Sequence, residues 1–186
     1  MGYCVKLDDC MLVDEAIIGR RSVRSFTEKA VSDEIINSLL NAACWAPSAG
    51  NAQPWHFIVV RKNENKEKLI GACFYEAKFL AEAPVVIVVC ADPDFSARMY
   101  DFGDRGRHLY CLQDTAAATQ NIHLVALSLG LGTCWVGGFD EAKVKSILNI
   151  PVHIRPVAII PVGYPKDLHR AGTRNPISEK THWEAF

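Results

Sequence analysis

Several signals are missing from this chain, and each absence removes a class of protein. No apolar run approaches the roughly 20 residues a membrane-spanning helix needs, and the opening MGYCVKLDDCMLVDEAI has no basic segment followed by an apolar one. The expectation is a cytoplasmic protein that engages no membrane. Charge of one sign is also lacking: 20 Lys and Arg face 21 Asp and Glu, a formal net charge of -1, which gives no global field for nucleic acid or an anionic surface. Any anion must be held by a local cluster.

The seven cysteines (Cys4, Cys10, Cys44, Cys73, Cys90, Cys111, Cys134) are odd in number and include no Cys-x-x-Cys pair, and most sit in apolar stretches such as VVIVVCAD. They read as buried free thiols rather than disulfides or metal ligands. The six histidines show no zinc spacing with one another or with the cysteines, so no metal is expected and redox chemistry here would need an organic cofactor. No Gly-x-Gly-x-x-Gly follows a strand; Gly130-Leu131-Gly132 follows a helix instead, the wrong context for a dinucleotide turn. Gly-x-x-x-x-Gly-Lys-Ser/Thr and Gly-x-Ser-x-Gly are absent, which removes the usual signals of nucleotide hydrolysis and of an esterase nucleophile.

What is present is an ordinary globular balance, 49% hydrophobic and 22% charged over 186 residues, enough to bury one core. A single domain over 1–186 is expected. A short helix is read from Asp14 to Arg20. Ser32 then caps a helix whose apolar positions Ile35, Ile36, Leu39, Leu40 and Ala43 recur at helical spacing and which stops before Pro47. Trp55–Val60 reads as a strand, a charged stretch from Arg61 to Lys68 and helical turns to Glu82 follow it, and Val85–Cys90 reads as a strand covered on both faces. Leu109 to Leu129 carries the longest helical pattern, apolar widely enough to be largely buried, with a glycine stop after it. Thr133–Val136 reads as a short strand, Asp140 as the cap of a helix through Leu148, and Arg155–Gly163 as a strand whose prolines favour an edge or strand ends. Helices mixed with three or four strands predict an α/β layered domain with one sheet between helices.

Three segments could carry chemistry. Arg20, Arg21 and Arg24, with Ser22 among them, offer forked donors and a hydroxyl suited to a phosphate, although a solvated basic face gives the same pattern. Ser48, Asn51 and Gln53 lie in a Pro- and Gly-bounded loop that fits either a planar heterocycle or a plain turn. Gly137 and Gly138 after a strand permit close backbone approach to a ligand, or simply a tight turn.

In combination and order, Arg20-Arg21-Ser22-Val23-Arg24-Ser25-Phe26, Pro47-Ser48-Ala49-Gly50-Asn51-Ala52-Gln53-Pro54-Trp55 and Gly132-Thr133-Cys134-Trp135-Val136-Gly137-Gly138-Phe139 closely resemble the FMN-binding segments of the nitroreductase family. The resemblance runs from about Asp14 to Tyr164. It implies an α+β layered sandwich with a central, mainly antiparallel or mixed sheet flanked by helices, in a homodimer that exchanges C-terminal segments, so that tail 166–186 packs on the partner. It implies FMN at the subunit interface, NADH or NADPH as electron donor, and a small-molecule acceptor such as a nitroaromatic or quinone.

Matched by position, the resemblance gives Arg20, Arg21 and Ser22 to the phosphate and ribityl groups, and Arg24 to the pyrimidine side of the flavin. Pro47, Ser48, Ala49, Asn51 and Gln53 approach the ring from the partner chain, and Trp135 with backbone at Gly137 and Gly138 reaches the N5 region. In the tail, Arg174 is carried over for the phosphate, with Arg170 as its helper. No side chain is assigned as an obligatory acid or base. Larger relatives often have an acidic residue where Gly137 stands and an inserted helical segment over the site, which this chain is too short to include. The same motifs also fit a flavin-binding protein for storage or redox sensing, or a specialised member that dehalogenates, dehydrogenates or fragments the flavin.

Overall fold

The structure, a computed structural model, describes residues 11–167 and 172–186. Its elements are α1 (Val13–Gly19), α2 (Asp33–Cys44), β1 (Trp55–Val60), α3 (Asn63–Ala72), α4 (Phe79–Glu82), β2 (Val85–Ala91), α5 (Pro93–Arg98), α6 (Gly103–Arg105), α7 (Cys111–Ser128), β3 (Gly132–Thr133), α8 (Glu141–Leu148) and β4 (Arg155–Gly163). The four strands form one sheet in the order β1-β2-β4-β3, antiparallel at every pairing.

β2 explains the layering. Every residue of Val85–Ala91 is buried, and because side chains alternate across a strand, its two faces feed two cores. Val86, Val88 and Cys90 join Leu69, Leu80 and Val144 from α3, α4 and α8. Val85, Ile87 and Val89 join Leu39, Ala43 and Ile122 from α2 and α7. Helices thus cover both faces, the α+β layered sandwich with an antiparallel sheet that the resemblance implies.

Local signals act where expected. Ser32 Oγ accepts from the Ile35 N–H at 3.4 Å to open α2, and Asp140 Oδ1 accepts from the Ala142 and Lys143 N–H groups to open α8. α7 ends in a Schellman turn, with Gly130 at φ +73°, Leu131 N–H donating to Ala126 O at 2.8 Å and Gly130 N–H to Leu127 O at 2.9 Å.

Three expectations are corrected. β4 lies inside the sheet rather than at its edge. Pro156 is tolerated there because the register with β2 slips beside it, between Val89 and Cys90. Ile159 exchanges both backbone hydrogen bonds with Val136, so strand alternation turns the Pro161 nitrogen to that same side, where Cys134 and Trp135 lie outside the named strands. The helical turns after Arg61 do not run through to Glu82; they break at Cys73, whose main chain bridges to Phe139. α7 buries only part of its circumference: Leu124, Val125 and Leu127 are half-buried and Leu129 is 41% exposed.

Candidate functional site

The basic segment leaves the end of α1 and runs alongside β3. Ser22 bridges Thr133 in parallel, and the Val23 N–H donates to Thr133 O at 2.9 Å. Val23 is buried between its polar neighbours. The close approach requires Gly132, where an added Cβ would stand 2.6 to 2.8 Å from three atoms of the Val23 side chain. Two segments 110 residues apart in sequence are therefore locked together through their backbones.

Arg20 and Arg21 then line a cavity of about 350 Å³ with Gly19, Val23, His123 and Thr133, completed by Leu127, Leu131 and Pro165. Arg21 Nη1 donates to the carbonyls of Ile18 at 2.5 Å and Arg20 at 2.8 Å, while its Nε is buried without a partner among the described residues. Asp167 at the rim accepts from Ser25 Oγ at 3.1 Å. A pair of guanidinium groups on a concave surface, one with a spare buried donor, is suited to a phosphate.

Arg24 is exposed and directed differently. Its charge bears on the Cys134 thiol and the Tyr75 phenol, opposing the upward push that burial gives both groups. Arg24 thus belongs to the strip Trp135–Gly138. There Phe74 N–H donates to Gly138 O at 3.0 Å, and a Cβ at Gly138 would meet the Tyr75 ring at 3.3 Å. Trp135, Phe74 and Tyr75 are 41%, 74% and 46% exposed, a set of aromatic faces around the two glycines suited to a planar ring.

His123 is a site residue that sequence reasoning missed. It stands on α7 with 3% exposure and lines the cavity. Its Nδ1 lies 2.7 Å from Thr133 Oγ1, its Nε2 has no partner among the described residues, and its ring is tilted 30° over Trp135 at 5.8 Å. Burial, with the Arg20 charge behind it, depresses its pKa from 6.5 to about 4, so the imidazole is neutral at pH 7. The available signal was a lone imidazole between Ile122 and Leu124, four residues from buried Thr119 on the same helix face.

The loop at 47–54 is built but stands elsewhere. Gly50, Asn51 and Gln53 have φ of 55°, 55° and 53°, a conformation non-glycine residues hold only where surroundings enforce it. Here the enforcement is Gln53 N–H donating to Ser48 Oγ at 3.0 Å, Gln53 Nε2 donating to Asn51 O and Oδ1 at 3.2 Å, and Ala49 N–H donating to Asp114 Oδ1 at 3.1 Å. Asp114 is buried on α7, and burial raises its carboxyl pKa against the pull of that hydrogen bond. Pro47, Asn51 and Gln53 are exposed, with Ser48 and Ala49 half-buried.

Within one chain the structure places Arg20 and Arg21 in the cavity wall, ties Ser22 to Thr133 and brings the Arg24 charge to bear on Cys134 and Tyr75 beside Trp135, Gly137 and Gly138, but keeps the loop apart. Asp114 under the loop and His123 under the basic segment are separated by about 14 Å along α7 at 1.5 Å rise per residue. Arg174 is exposed in the tail and donates to its neighbour's carbonyl at Thr173, 2.9 Å away, with no place in the cavity lining. Arg170 lies outside the described residues.

Comparison with known proteins gives one consistent result. The Nitroreductase family model matches residues 17–77 and 71–164. The chain is 41% identical, over 87% of its length and 88% of the relative's, to a protein of Archaeoglobus fulgidus provisionally named NADH dehydrogenase/NAD(P)H nitroreductase. It is 29% identical, over 92% of its length and 73% of the relative's, to the FMN reductase (NADPH) of Bacillus subtilis. Among solved structures, a nitroreductase family protein of Clostridium novyi NT superimposes with a TM-score of 0.77 at 34% identity, covering 84% of this chain and 87% of that one.

Proposed function

The chain belongs to the nitroreductase family, and from that premise we propose that it passes hydride from NADH or NADPH, through flavin N5, to an electron-poor small molecule such as a nitroaromatic or quinone. It is a flavin-dependent oxidoreductase, with FMN as the cofactor and NAD(P)H as the donor its relatives' names point to. The observation that carries the assignment of residues is the Ser22–Thr133 bridge, which sets the arginine segment alongside the strand that leads to Gly137 and Gly138.

The residues present fit FMN. Arg20 and Arg21 offer the phosphate paired charge and an orphan buried donor at Arg21 Nε, and Ser22 adds a hydroxyl. Arg24 places a cation on the Trp135–Gly138 side, where it stabilises the negative charge of reduced flavin. The N–H groups of Gly137 and Gly138 donate to no backbone carbonyl among the described residues and remain free for the N5 edge. When bound, FMN supplies a hydride acceptor that is reoxidised by the second substrate. The protein binds, orients and polarises, and no side chain here is required as an acid or base.

The working unit in this reading is a homodimer with FMN between subunits, each chain folding as one domain with its core at 14–165 and tail 166–186 laid on the partner. Pro47, Ser48, Ala49, Asn51 and Gln53 then serve the partner's flavin, and Arg174 reaches a phosphate through the docked tail. Support comes from the distance between loop and arginines in one chain, and from apolar side chains left open: Val13, Ile17 and Ile18 on α1 are 73%, 56% and 72% exposed, and Ile177 and Trp183 in the tail 82% and 86%. No described helix is long and apolar enough to cross a membrane. Cys44, Cys73, Cys90, Cys111 and Cys134 are all free thiols, which supports residence in the reducing cytoplasm.

The test is steady-state oxidation of NADH and NADPH by the FMN-loaded protein, with a quinone, a nitroaromatic and oxygen as separate acceptors. Turnover with the first two well above oxygen supports the proposal. A bound flavin that no nicotinamide reduces points instead to storage or sensing.

A further inference from the structure

The cavity wall includes a buried imidazole to which the family resemblance gives no role. His123 is 3% exposed, lines the cavity beside Arg20 and Arg21, and leaves Nε2 without a partner among the described residues. Buried polar atoms are ordinarily satisfied, so an orphan nitrogen on a side chain lining a cavity that also holds Arg20 and Arg21, with Asp167 at its rim, marks a place where a ligand atom completes the bonding.

The protonation pattern follows from Thr133. Its carbonyl is taken by Val23 N–H, and Nδ1 of His123 is the sole side-chain partner of its hydroxyl among the described residues, at 2.7 Å. When the hydroxyl donates to Nδ1, the ring's single proton sits on Nε2, because the bond made by one imidazole nitrogen sets the state of the other. An anion among Arg20, Arg21 and Nε2 favours that tautomer, since it rewards a donor and repels a lone pair. Trp135 lies against the imidazole and restrains its rotation.

We infer that His123 is a third side chain of the phosphate subsite, its Nε2–H donating to the phosphate of FMN alongside Arg20 and Arg21, with Thr133 fixing the tautomer. The inference rests on the FMN reading above and adds to it a specificity element: the site distinguishes phosphorylated flavin from riboflavin partly through a neutral donor on α7. A leucine at this position would fill the helix face equally well but leave the phosphate one donor short.

The test uses flavin-free protein and the quenching of flavin fluorescence, with FMN and riboflavin titrated into wild type, His123→Leu and His123→Gln. His123→Leu is expected to weaken FMN about tenfold, the scale of a hydrogen bond to a charged group, while riboflavin affinity stays within twofold. His123→Gln, which keeps an amide donor, is expected to fall between. As an independent reading, ¹⁵N NMR of the imidazole should show the Nε2–H resonance of His123 shift when inorganic phosphate is added to the flavin-free wild type. Equal losses for FMN and riboflavin, or none for either, overturn the role of His123 while leaving the flavin assignment standing. Failure of wild type to take up FMN at all overturns the flavin assignment and, with it, this inference.

Discussion

Val23 and Gly132 pack so closely that a single added carbon at Gly132 would come within 2.6 Å of the valine side chain. Neither partner can withdraw, because Val23 is buried and its N–H is bonded to Thr133 O. The contact holds the arginine segment against the glycine strip. Gly132→Ala is therefore expected to cost about 2 kcal/mol, the scale of overpacking a core, and to weaken FMN binding. Gly71→Ala on exposed α3, where nothing lies within 4 Å, is the control and should stabilise by about 0.5–1 kcal/mol. Thermal unfolding of the two variants checks both signs.

Arg24 is exposed, so Arg24→Ala should leave the melting temperature of the flavin-free protein unchanged. Removing the cation beside reduced flavin should lower the two-electron potential by on the order of 30 mV, equivalent to about 1.4 kcal/mol, and weaken FMN binding. Spectroelectrochemical titration measures the potential; an unchanged potential and affinity would remove Arg24 from the site.

His123 gives stability a definite pH dependence. Its pKa is 6.5 ordinarily and about 4 in the fold. Above pH 6.5 neither folded nor unfolded chain binds the proton, whereas below it the unfolded chain takes up a proton that the buried imidazole refuses. Stability is thus present above 6.5 and lost as pH falls toward 4, by on the order of 3 kcal/mol at most. Urea unfolding of wild type and His123→Leu from pH 4 to 7 should show the slope in the first and its loss in the second.

Asp114 works in the opposite sense. Burial holds its carboxyl pKa above the ordinary 3.8, so the protonated form favours the fold and that contribution is lost as pH rises through the folded value. Asp114→Asn keeps the acceptor for Ala49 N–H and drops the charge; it should match or exceed wild type in stability at pH 7. Asp114→Leu removes the acceptor and should lose about 1–3 kcal/mol. An Asn variant markedly weaker than wild type would show that the ionised carboxylate is needed under the loop.

Much of this was legible in the sequence because it depends on local chemistry. Val85–Ala91 announced a strand covered on both faces, Ser32 and Asp140 capped their helices, and Gly130 ended α7 where a left-handed residue was needed. What was hidden depends on partners distant in sequence. Pro156 and Pro161 argued for an edge or for strand ends; Pro156 is indeed the second residue of β4, yet β4 is interior because a register slip and a break in the neighbouring strand fall beside the two prolines. The α3–α4 break at Cys73 follows from its bridge to Phe139, which no periodicity reveals. The arginines and glycines stood out by residue chemistry and took their roles from family likeness, but His123 was passed over because its meaning comes from Thr133 and Arg20, neither of them its sequence neighbour.

The most direct measurement is the absorbance spectrum of the purified protein reconstituted with FMN, followed by anaerobic addition of NADH and then NADPH. The account expects flavin bands that shift on binding and bleach with at least one of the two nicotinamides. Failure to retain FMN would contradict the cofactor assignment, and bound flavin that stays oxidised with both donors would contradict the hydride-transfer cycle.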